Sequence, residues 1–380
     1  MLMKIAILGT VGVPGRYGGF ETLAENLVRQ HHTGRWDAGL TVYCSAEAYP
    51  DRAPRYLSAD LRYSRFRANG IQSILYDAFT LLDCARRGHD AALLLGVSGA
   101  VVLPFIRLFS SMRVVTNVDG IEWRRDKWTG AARHFLRLSE WMAVRFSHQV
   151  VADNQGIADH LQEAYGVEAA VIAYGGDHAL DSAGQVPDDD QAATLPPGYA
   201  LALCRIEPEN NIAMILEAFA CAGKQLVFVG NWDNSEYGRT LRAQYSTQKN
   251  ILLLDPIYEA AALYRVRAGA GLYVHGHSAG GTNPSLVEMM HFGVPILAFD
   301  CVYNRYTTEN QAKYFRTAGD LAWIAGLPTE PPDIGARLRE IAERAYTWNR
   351  IGKEYFTILG ADAEFMEFGE VSHGEKSYIY

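Results

Sequence analysis

The segment GGTNPSLVE, residues 280–288, sets two glycines ahead of a threonine, an asparagine, a proline and a serine at what reads as a helix start. The first turn of a helix carries unpaired N–H groups and roughly half a positive charge. Pro284 suits the first helical position, with Asn283 as N-cap and Thr282 as the second candidate. Gly280 and Gly281 let a ligand approach the backbone closely. The loop and helix start, Gly280, Gly281, Thr282, Asn283, Ser285 and Leu286, therefore form a candidate seat for an anion such as a diphosphate. Glu288, one turn further in, is placed to bond the hydroxyls of a bound ribose. An ordinary well-capped connection between strand and helix would use the same residue types.

A second glycine-rich loop, GTVGVPGRYGGFETLAENLV at residues 9–28, follows the first apolar run. It lacks the G-x-G-x-x-G dinucleotide spacing and is too long for that tight turn. Gly18 and Gly19 instead bring backbone donors to a substrate. Arg16 offers a charge to a phosphate, Tyr17 stands beside it, and Glu21 can accept from a sugar hydroxyl. His275 and His277, at i and i+2 on one strand face, have no third metal ligand near them and read as cleft-lining groups. The run Asp188 to Asp190 beside Pro187 reads as a solvated acidic stretch rather than a metal site.

Such loops need elements to hold them. The first half contains KIAILG (4–9), LTVYCS (40–45), SILYD (73–77), AALLLG (91–96), RVVTNV (113–118), QVVAD (149–153) and AAVIAYG (169–175). The second contains YALALC (199–204), QLVFVG (225–230), NILLLD (250–255), AGLYVHG (270–276) and VPILAFD (294–300). Continuous apolar runs of this length fit parallel strands buried on both faces. The fold class is therefore α/β, with two Rossmann-like, doubly wound domains facing across a cleft at the carboxyl ends of their strands. The expected division is 1–178, an Asp- and Pro-rich linker at 179–198, 199–345, and a closing helix and tail at 346–380.

Composition agrees with this frame. The 380 residues are 49% hydrophobic and 21% charged, as in ordinary soluble domains. Five scattered cysteines without a C-x-x-C suggest neither disulfides nor zinc, and fit a reducing cytoplasm. The N-terminus reads as a strand rather than a signal peptide, and no run approaches a membrane span. The net charge of −8 is uneven: residues 1–178 carry 19 Lys+Arg against 18 Asp+Glu, and the remainder 16 against 25. Arg52, Arg55, Arg62, Arg65 and Arg67 interleave with Tyr56, Tyr63 and Phe66. Residues 126–149 likewise mix Trp128, Phe135, Leu138, Trp141 and Phe146 with Lys127, Arg133, Arg137 and Arg145. The acidic total and the lack of a nucleic-acid motif argue against nucleic acid. An anionic membrane surface or a substrate phosphate suits these patches better, and a core helix with a charged outer face suits 126–149 equally.

Taken together, GVPGRYGGFETLAENL, NVDGIEWRRDKW, CRIEPENNI and HGHSAGGTNPSLVEMMHFGVPILAFD resemble the rhamnosyltransferase branch of the retaining glycosyltransferases of family 4, which have the GT-B fold. The resemblance runs in matching order from about residue 4 to residue 359. It implies that the C-terminal domain holds a dTDP- or UDP-linked sugar as substrate, with no further cofactor and no metal. Relatives grip the donor diphosphate with an Arg and a Lys in a pattern like G-R-L-x-x-x-K-N. Here Arg205 matches, and Asn210 or Asn211 stands where the Lys would be. Of the family's E-x7-E pair, Glu288 matches the second member, and Gly280 occupies the position of the first. His275 and the base-stacking loop with Ile257 and Tyr258 complete the expected donor site, and Arg16, Tyr17 and Glu21 the acceptor site. No nucleophile and acid/base carboxylate pair stands at motif spacing. The resemblance implies front-face substitution, with Asp119, Glu122 and Arg205 as catalytic candidates. YTWNRIGKEYFTIL (346–359) resembles the helix that closes this fold across the domain junction, with Trp348, Ile351 and Tyr355 on one stripe.

Three functions follow as alternatives. The first is a hexosyltransferase of bacterial surface polysaccharide assembly, moving L-rhamnose onto a polyprenyl-diphosphate-linked saccharide at the inner face of the membrane. The others are a sugar-nucleotide epimerase of the same shape and a non-catalytic nucleotide-sugar-binding protein.

Overall fold

The apolar runs assemble into two sheets in the computed structural model, which describes residues 2–361 other than 16, 17, 35, 71, 119, 125–129, 188–190 and 327–332. The first sheet contains β1 (Met3–Leu8), β2 (Ala38–Ser45), β3 (Arg55–Tyr56), β4 (Ala59–Ser64), β5 (Ala91–Leu95), β6 (Arg113–Val118), β7 (Gln149–Ala152) and β8 (Ala170–Val171). Its order is β3-β4-β2-β1-β5-β6-β7-β8, and only the β3–β4 pairing is antiparallel. Between these strands run α1 (Gly19–Thr33), α2 (Gln72–Arg86), α3 (Leu103–Phe109), α4 (Gly130–Phe146) and α5 (Gln155–Tyr165). Alternation along β1 sorts the two faces. Ile5 and Ile7 pack in one core with Leu23 and Leu27 of α1, while Ala6 and Leu8 pack in another with residues of α2 to α5.

The second sheet is wholly parallel, in the order β11-β10-β9-β12-β13-β14. Its strands are β9 (Tyr199–Leu203), β10 (Leu226–Val229), β11 (Ile251–Leu254), β12 (Ala270–His275), β13 (Ile296–Phe299) and β14 (Lys313–Phe315). Its helices are α6 (Ile212–Ala222), α7 (Glu236–Tyr245), α8 (Ala260–Ala268), α9 (Pro284–His291), α10 (Val302–Thr307), α11 (Ala318–Gly326) and α12 (Asp333–Ala345). A last helix, α13 (Trp348–Leu359), leaves this domain and lies on the first. There Phe356 packs against Trp36 with centroids 4.6 Å apart, Asn117 Nδ2 donates to Tyr355 OH at 2.7 Å, and Arg113 Nε donates to Ile358 O at 3.0 Å.

One core therefore runs through both domains, from Ile5 and Leu27 through Tyr355 to Leu286 and Ile296. The connection between the domains is packed as tightly. A Cβ at Gly175 would come within 2.6 Å of the Trp348 ring, and one at Gly176 within 2.7 Å of the Val287 and Glu288 backbone.

Two expected elements differ, and one strand was not expected. SILYD is not a strand but the start of α2, because Tyr76, Thr80, Leu81 and Cys84 continue its buried side at helical spacing. The strand in that region is β4, whose charged and aromatic edge hid the alternation of buried Ala59 and Leu61. AAVIAYG contributes only Ala170 and Val171 to the sheet, since the glycines after it are needed at the junction.

Candidate functional site

β9 and β12 are neighbours, so the loops leaving their carboxyl ends lie side by side. After β12 the chain passes through residues 276–283 and enters α9. Asn283 is the N-cap: its Oδ1 accepts from Ser285 N at 3.1 Å and Ser285 Oγ at 2.8 Å, and Pro284 opens the helix. Ser285 Oγ also accepts from Tyr273 OH at 3.0 Å. The Asn283 carbonyl takes the N–H groups of Leu286 at 3.0 Å and Val287 at 3.3 Å. The first turn of α9 is thus satisfied from within, and the Leu286 side chain lies in the core. The amides of Gly280 and Gly281 bond to nothing among the described residues, and these are the donors left to meet an anion. Gly280 has φ 103°, which an L side chain would resist.

On the β9 side, Arg205 turns outward with its side chain 47% exposed, 3.8 Å from Glu207. Asn210 is buried and donates to Arg205 O at 2.8 Å; Asn211 donates to Gly276 O at 2.8 Å. Both amides brace backbone, so neither replaces the charge of a lysine. Ile257 and Tyr258 follow β11, with β10 between them and β9; Ile257 packs on the core and Tyr258 is 71% exposed.

His275 and His277 stack with centroids 4.4 Å apart and 15° between planes. His275 is buried, and that burial, with the neighbouring His277, holds its imidazole well below the usual pKa and therefore neutral. Its Nε2 has no hydrogen-bond partner among the described residues.

Glu288 was expected to face ribose hydroxyls. Instead, its carboxylate is held between Arg267 of α8, which donates to Oε2, and His178, whose Nε2 lies 3.3 Å from Oε1. Trp348 Nε1 donates to His178 Nδ1 at 2.9 Å, leaving the ring proton on Nε2 to face Glu288. Burial alone would raise the Glu288 carboxyl, but the Arg267 guanidinium, His178 and His291 outweigh it and hold the group below its ordinary value. A ribose would have to share this carboxylate with partners already in place.

The first domain presents its own loops to this segment. Glu21 Oε1 accepts from Val11 N at 2.9 Å and Thr10 Oγ1 at 3.2 Å, so its carboxylate organises the loop rather than standing free for an acceptor hydroxyl. Gly18, at φ 135°, leaves room for that carboxylate. A Cβ on Gly19 would lie 3.9 Å from Pro284, and one on Gly120 would lie 3.3 Å from the Cα of Gly280. Gly281 sits against the Asp153 carboxylate, with no space for a side chain. Thr282 Oγ1 donates to Asp153 O at 2.5 Å and accepts from Asn154 Nδ2 at 3.3 Å. Residues 280–284 are therefore clamped against the carboxyl ends of β6 and β7.

A cavity of about 210 Å³ opens at this meeting, lined by Gly120, Glu122 and Arg124 from one domain and Ser278, Gly280 and Tyr303 from the other. Arg124 was not anticipated. Its Nη2 lies 3.4 Å from His160 Nδ1, and His160 Nε2 lies 3.4 Å from Glu140 Oε1. The buried Glu140 also accepts from Trp123 Nε1 at 3.1 Å and Tyr165 OH at 2.7 Å. The available signal was a single acid in an arginine-rich helix, at a position that falls on its inner side. Asp153, Asn154, His178 and Arg267 were missed too, because each acts through a partner distant in sequence. Arg16, Tyr17, Asp119 and the run Asp188 to Asp190 lie outside the described residues. Among the described residues no three His, Cys, Asp or Glu gather to hold a metal ion.

Two parallel-sheet domains closing on one cleft, with α13 returning to the first, form the GT-B fold. Residues 2–177 match a family model described as a domain of unknown function (DUF1972). No curated protein sequence matches the chain. Among solved structures, a sucrose-phosphate synthase of Thermosynechococcus elongatus is similar at TM-score 0.77 and 14% identity, covering 94% of this chain and 98% of that one. HepE of Anabaena, in complex with UDP-glucose, is similar at TM-score 0.70 and 17% identity, with 94% and 99% covered. An α,α-trehalose 6-phosphate synthase of Burkholderia multivorans is similar at TM-score 0.68 and 12% identity, with 94% and 96% covered.

Proposed function

We propose that the protein is a glycosyltransferase that moves a hexosyl residue from a nucleotide sugar, L-rhamnose from dTDP-rhamnose in the leading form, onto a saccharide carried by polyprenyl diphosphate, with retention at the anomeric carbon. The observation that carries the reading is the cavity where Gly120 and Gly280 meet, between the unbonded amides of Gly280 and Gly281 and the Glu122–Arg124 turn. Its volume is below the roughly 300 Å³ of a typical ligand pocket, so it suits the sugar, with the nucleotide running outward past Arg205. Glu122 and Arg124 then stand where sugar hydroxyls need partners, opposite the glycine that replaces the family's first glutamate.

In this reading the bond between the anomeric carbon and the diphosphate oxygen breaks while the acceptor oxygen bonds to the same face. The acceptor's proton passes to the leaving diphosphate. Arg205 and the loop amides meet the charge that develops there, so catalysis is chiefly positioning and electrostatics. Asp119 orients the acceptor hydroxyl or the donor sugar. The reaction belongs to bacterial surface polysaccharide assembly, on the cytoplasmic side of the membrane.

Calorimetry with dTDP, UDP and GDP tests the donor site and identifies the base. Turnover of dTDP-rhamnose and of UDP-sugars with and without a polyprenyl-linked acceptor tests transfer. Nucleotide binding with conversion of the sugar in the absence of acceptor would assign an epimerase, and binding without turnover a non-catalytic protein.

A further inference from the structure

Eight of the 17 large hydrophobic side chains exposed among the described residues sit on three consecutive helices of the first domain. They are Leu75, Phe79 and Leu82 on α2, Phe105, Leu108 and Phe109 on α3, and Leu138 and Trp141 on α4. These helices bury their inner sides in one core beneath the sheet, and α3 lies against both α2 and α4, so their outer sides form one surface. Such a concentration marks an interaction face rather than scattered exposure.

The details sharpen it. On α2 the three side chains follow i, i+4, i+7 down the solvent side. Phe66 meets Phe79 edge-on at 5.7 Å, which joins the 52–67 patch to the same surface. On α3, Phe105, Leu108 and Phe109 are 61, 74 and 78% exposed, the most prominent apolar group of the face. On α4 the buried residues are Ser139, Glu140, Ala143 and Val144, and Met142 and Phe146 pack on the core beside them, whereas Leu138 and Trp141 point outward.

The charges are one-sided. Arg86, Arg107, Arg133, Arg137 and Arg145 are exposed on these three helices. Their acidic residues are Asp77 and Glu140, both buried, and Asp83, which is bonded by Tyr43 OH and Arg87. An apolar tip ringed by guanidinium groups without open carboxylates complements a bilayer carrying anionic headgroups. No described helix is long and apolar enough to cross a membrane, so the attachment is by inserted side chains.

We propose that the α2–α3–α4 face docks on an anionic lipid bilayer, with Phe105, Leu108 and Phe109 entering the boundary between headgroups and acyl chains and Arg107, Arg133, Arg137 and Arg145 meeting lipid phosphates. The face is defined by its exposed apolar side chains and its guanidinium groups. It rests on the transferase reading only for what docking delivers, an acceptor carried by a lipid.

Flotation of the full chain with phosphatidylcholine vesicles, with and without phosphatidylglycerol, is the test. The protein should float with the anionic vesicles and be released by salt. Replacing Phe105, Leu108 and Phe109 together by Ser should lower the partition coefficient at least about ten-fold. Arg107→Glu with Arg145→Glu should lower it about five-fold per residue. In both variants the thermal melt and UDP or dTDP affinity should stay as in the native chain. Failure to float with anionic vesicles at low salt, or unchanged flotation of the triple variant, overturns the proposal. So does a native dimer that the triple variant splits in size-exclusion chromatography, which would give the face to a second copy. Nucleotide affinity is read separately, so loss of one reading leaves the other standing.

Discussion

The pair formed by Arg267 and Glu288 offers the sharpest test of how the donor-side helix is held. Both side chains are about nine-tenths buried, and among the described residues Glu288 is the only carboxylate paired with Arg267. Replacing Glu288 by Gln keeps the shape and the acceptor facing His178 but leaves the guanidinium uncompensated, with an amide N–H₂ or a neutral oxygen in front of it. Removing one partner of a buried pair costs about 3–5 kcal/mol. For a chain of this size that corresponds to a melting shift of roughly 4–6 °C. The assay is thermal unfolding by circular dichroism at pH 7.5, repeated on Arg267→Met, on Glu288→Gln, and on Arg267→Met with Glu288→Met. The single variants should melt several degrees below the native chain, and the apolar double variant should recover most of the loss. Because the folded carboxyl lies below its unfolded value near 4.3, its stabilisation is complete above that pH and is lost as pH falls through the folded value. The penalty of Glu288→Gln should therefore shrink in acid. A melt of the Glu288→Gln variant within about 2 °C of native at pH 7.5 would refute the reasoning, because it is too small for an orphaned buried charge.

Arg205→Ala should weaken UDP or dTDP binding about ten- to a hundred-fold in calorimetry while leaving the nucleoside unaffected, and an unchanged affinity would remove Arg205 from the diphosphate. Gly281→Ala drives a methyl into the Asp153 carboxylate, so transfer should fall by at least about a hundred-fold in kcat/KM, with partial rescue by Asp153→Ala. Burial lifts the Asp77 carboxyl to about 7 against the opposing hydrogen bonds from Ser98 and Gly99, so the native state holds this proton more firmly than the unfolded one. Ionisation then costs stability as pH rises from about 4 to about 7, and Asp77→Asn should stabilise the fold at pH 8 by about 2–4 kcal/mol and flatten its pH dependence in urea titrations.

Much of the architecture was legible because parallel strands buried on both faces leave continuous apolar runs, as in AALLLG and QLVFVG. SILYD misled because five residues cannot separate a strand from a helix, and only Thr80, Leu81 and Cys84 beyond it reveal the longer period. The cap at Asn283 was legible because it is local, written within three residues. The grip on Glu288 was not, because Arg267, His178 and Trp348 come from three separate elements. The same holds for Gly281, whose lack of a side chain answers to Asp153, far away in the chain. Residues 126–149 allowed a core helix or a surface one, and α4 divides its apolar residues between the two: Val144, Met142 and Phe146 face the core beside Ser139, Glu140 and Ala143, while Leu138 and Trp141 are exposed.

The return of α13 changes what counts as a self-contained piece of this molecule. The segment 2–177 looks in sequence like a module that could be cut out and grown alone, yet its sheet and α1 are roofed by residues more than two hundred positions later. Excised, it would bare the bed of Trp348, Tyr355 and Phe356 to water and invite clumping. A graft that appends 347–361 through a short flexible tether is the smaller portable unit, and evolution could not have shuffled the front half to a new neighbour without carrying that borrowed lid along.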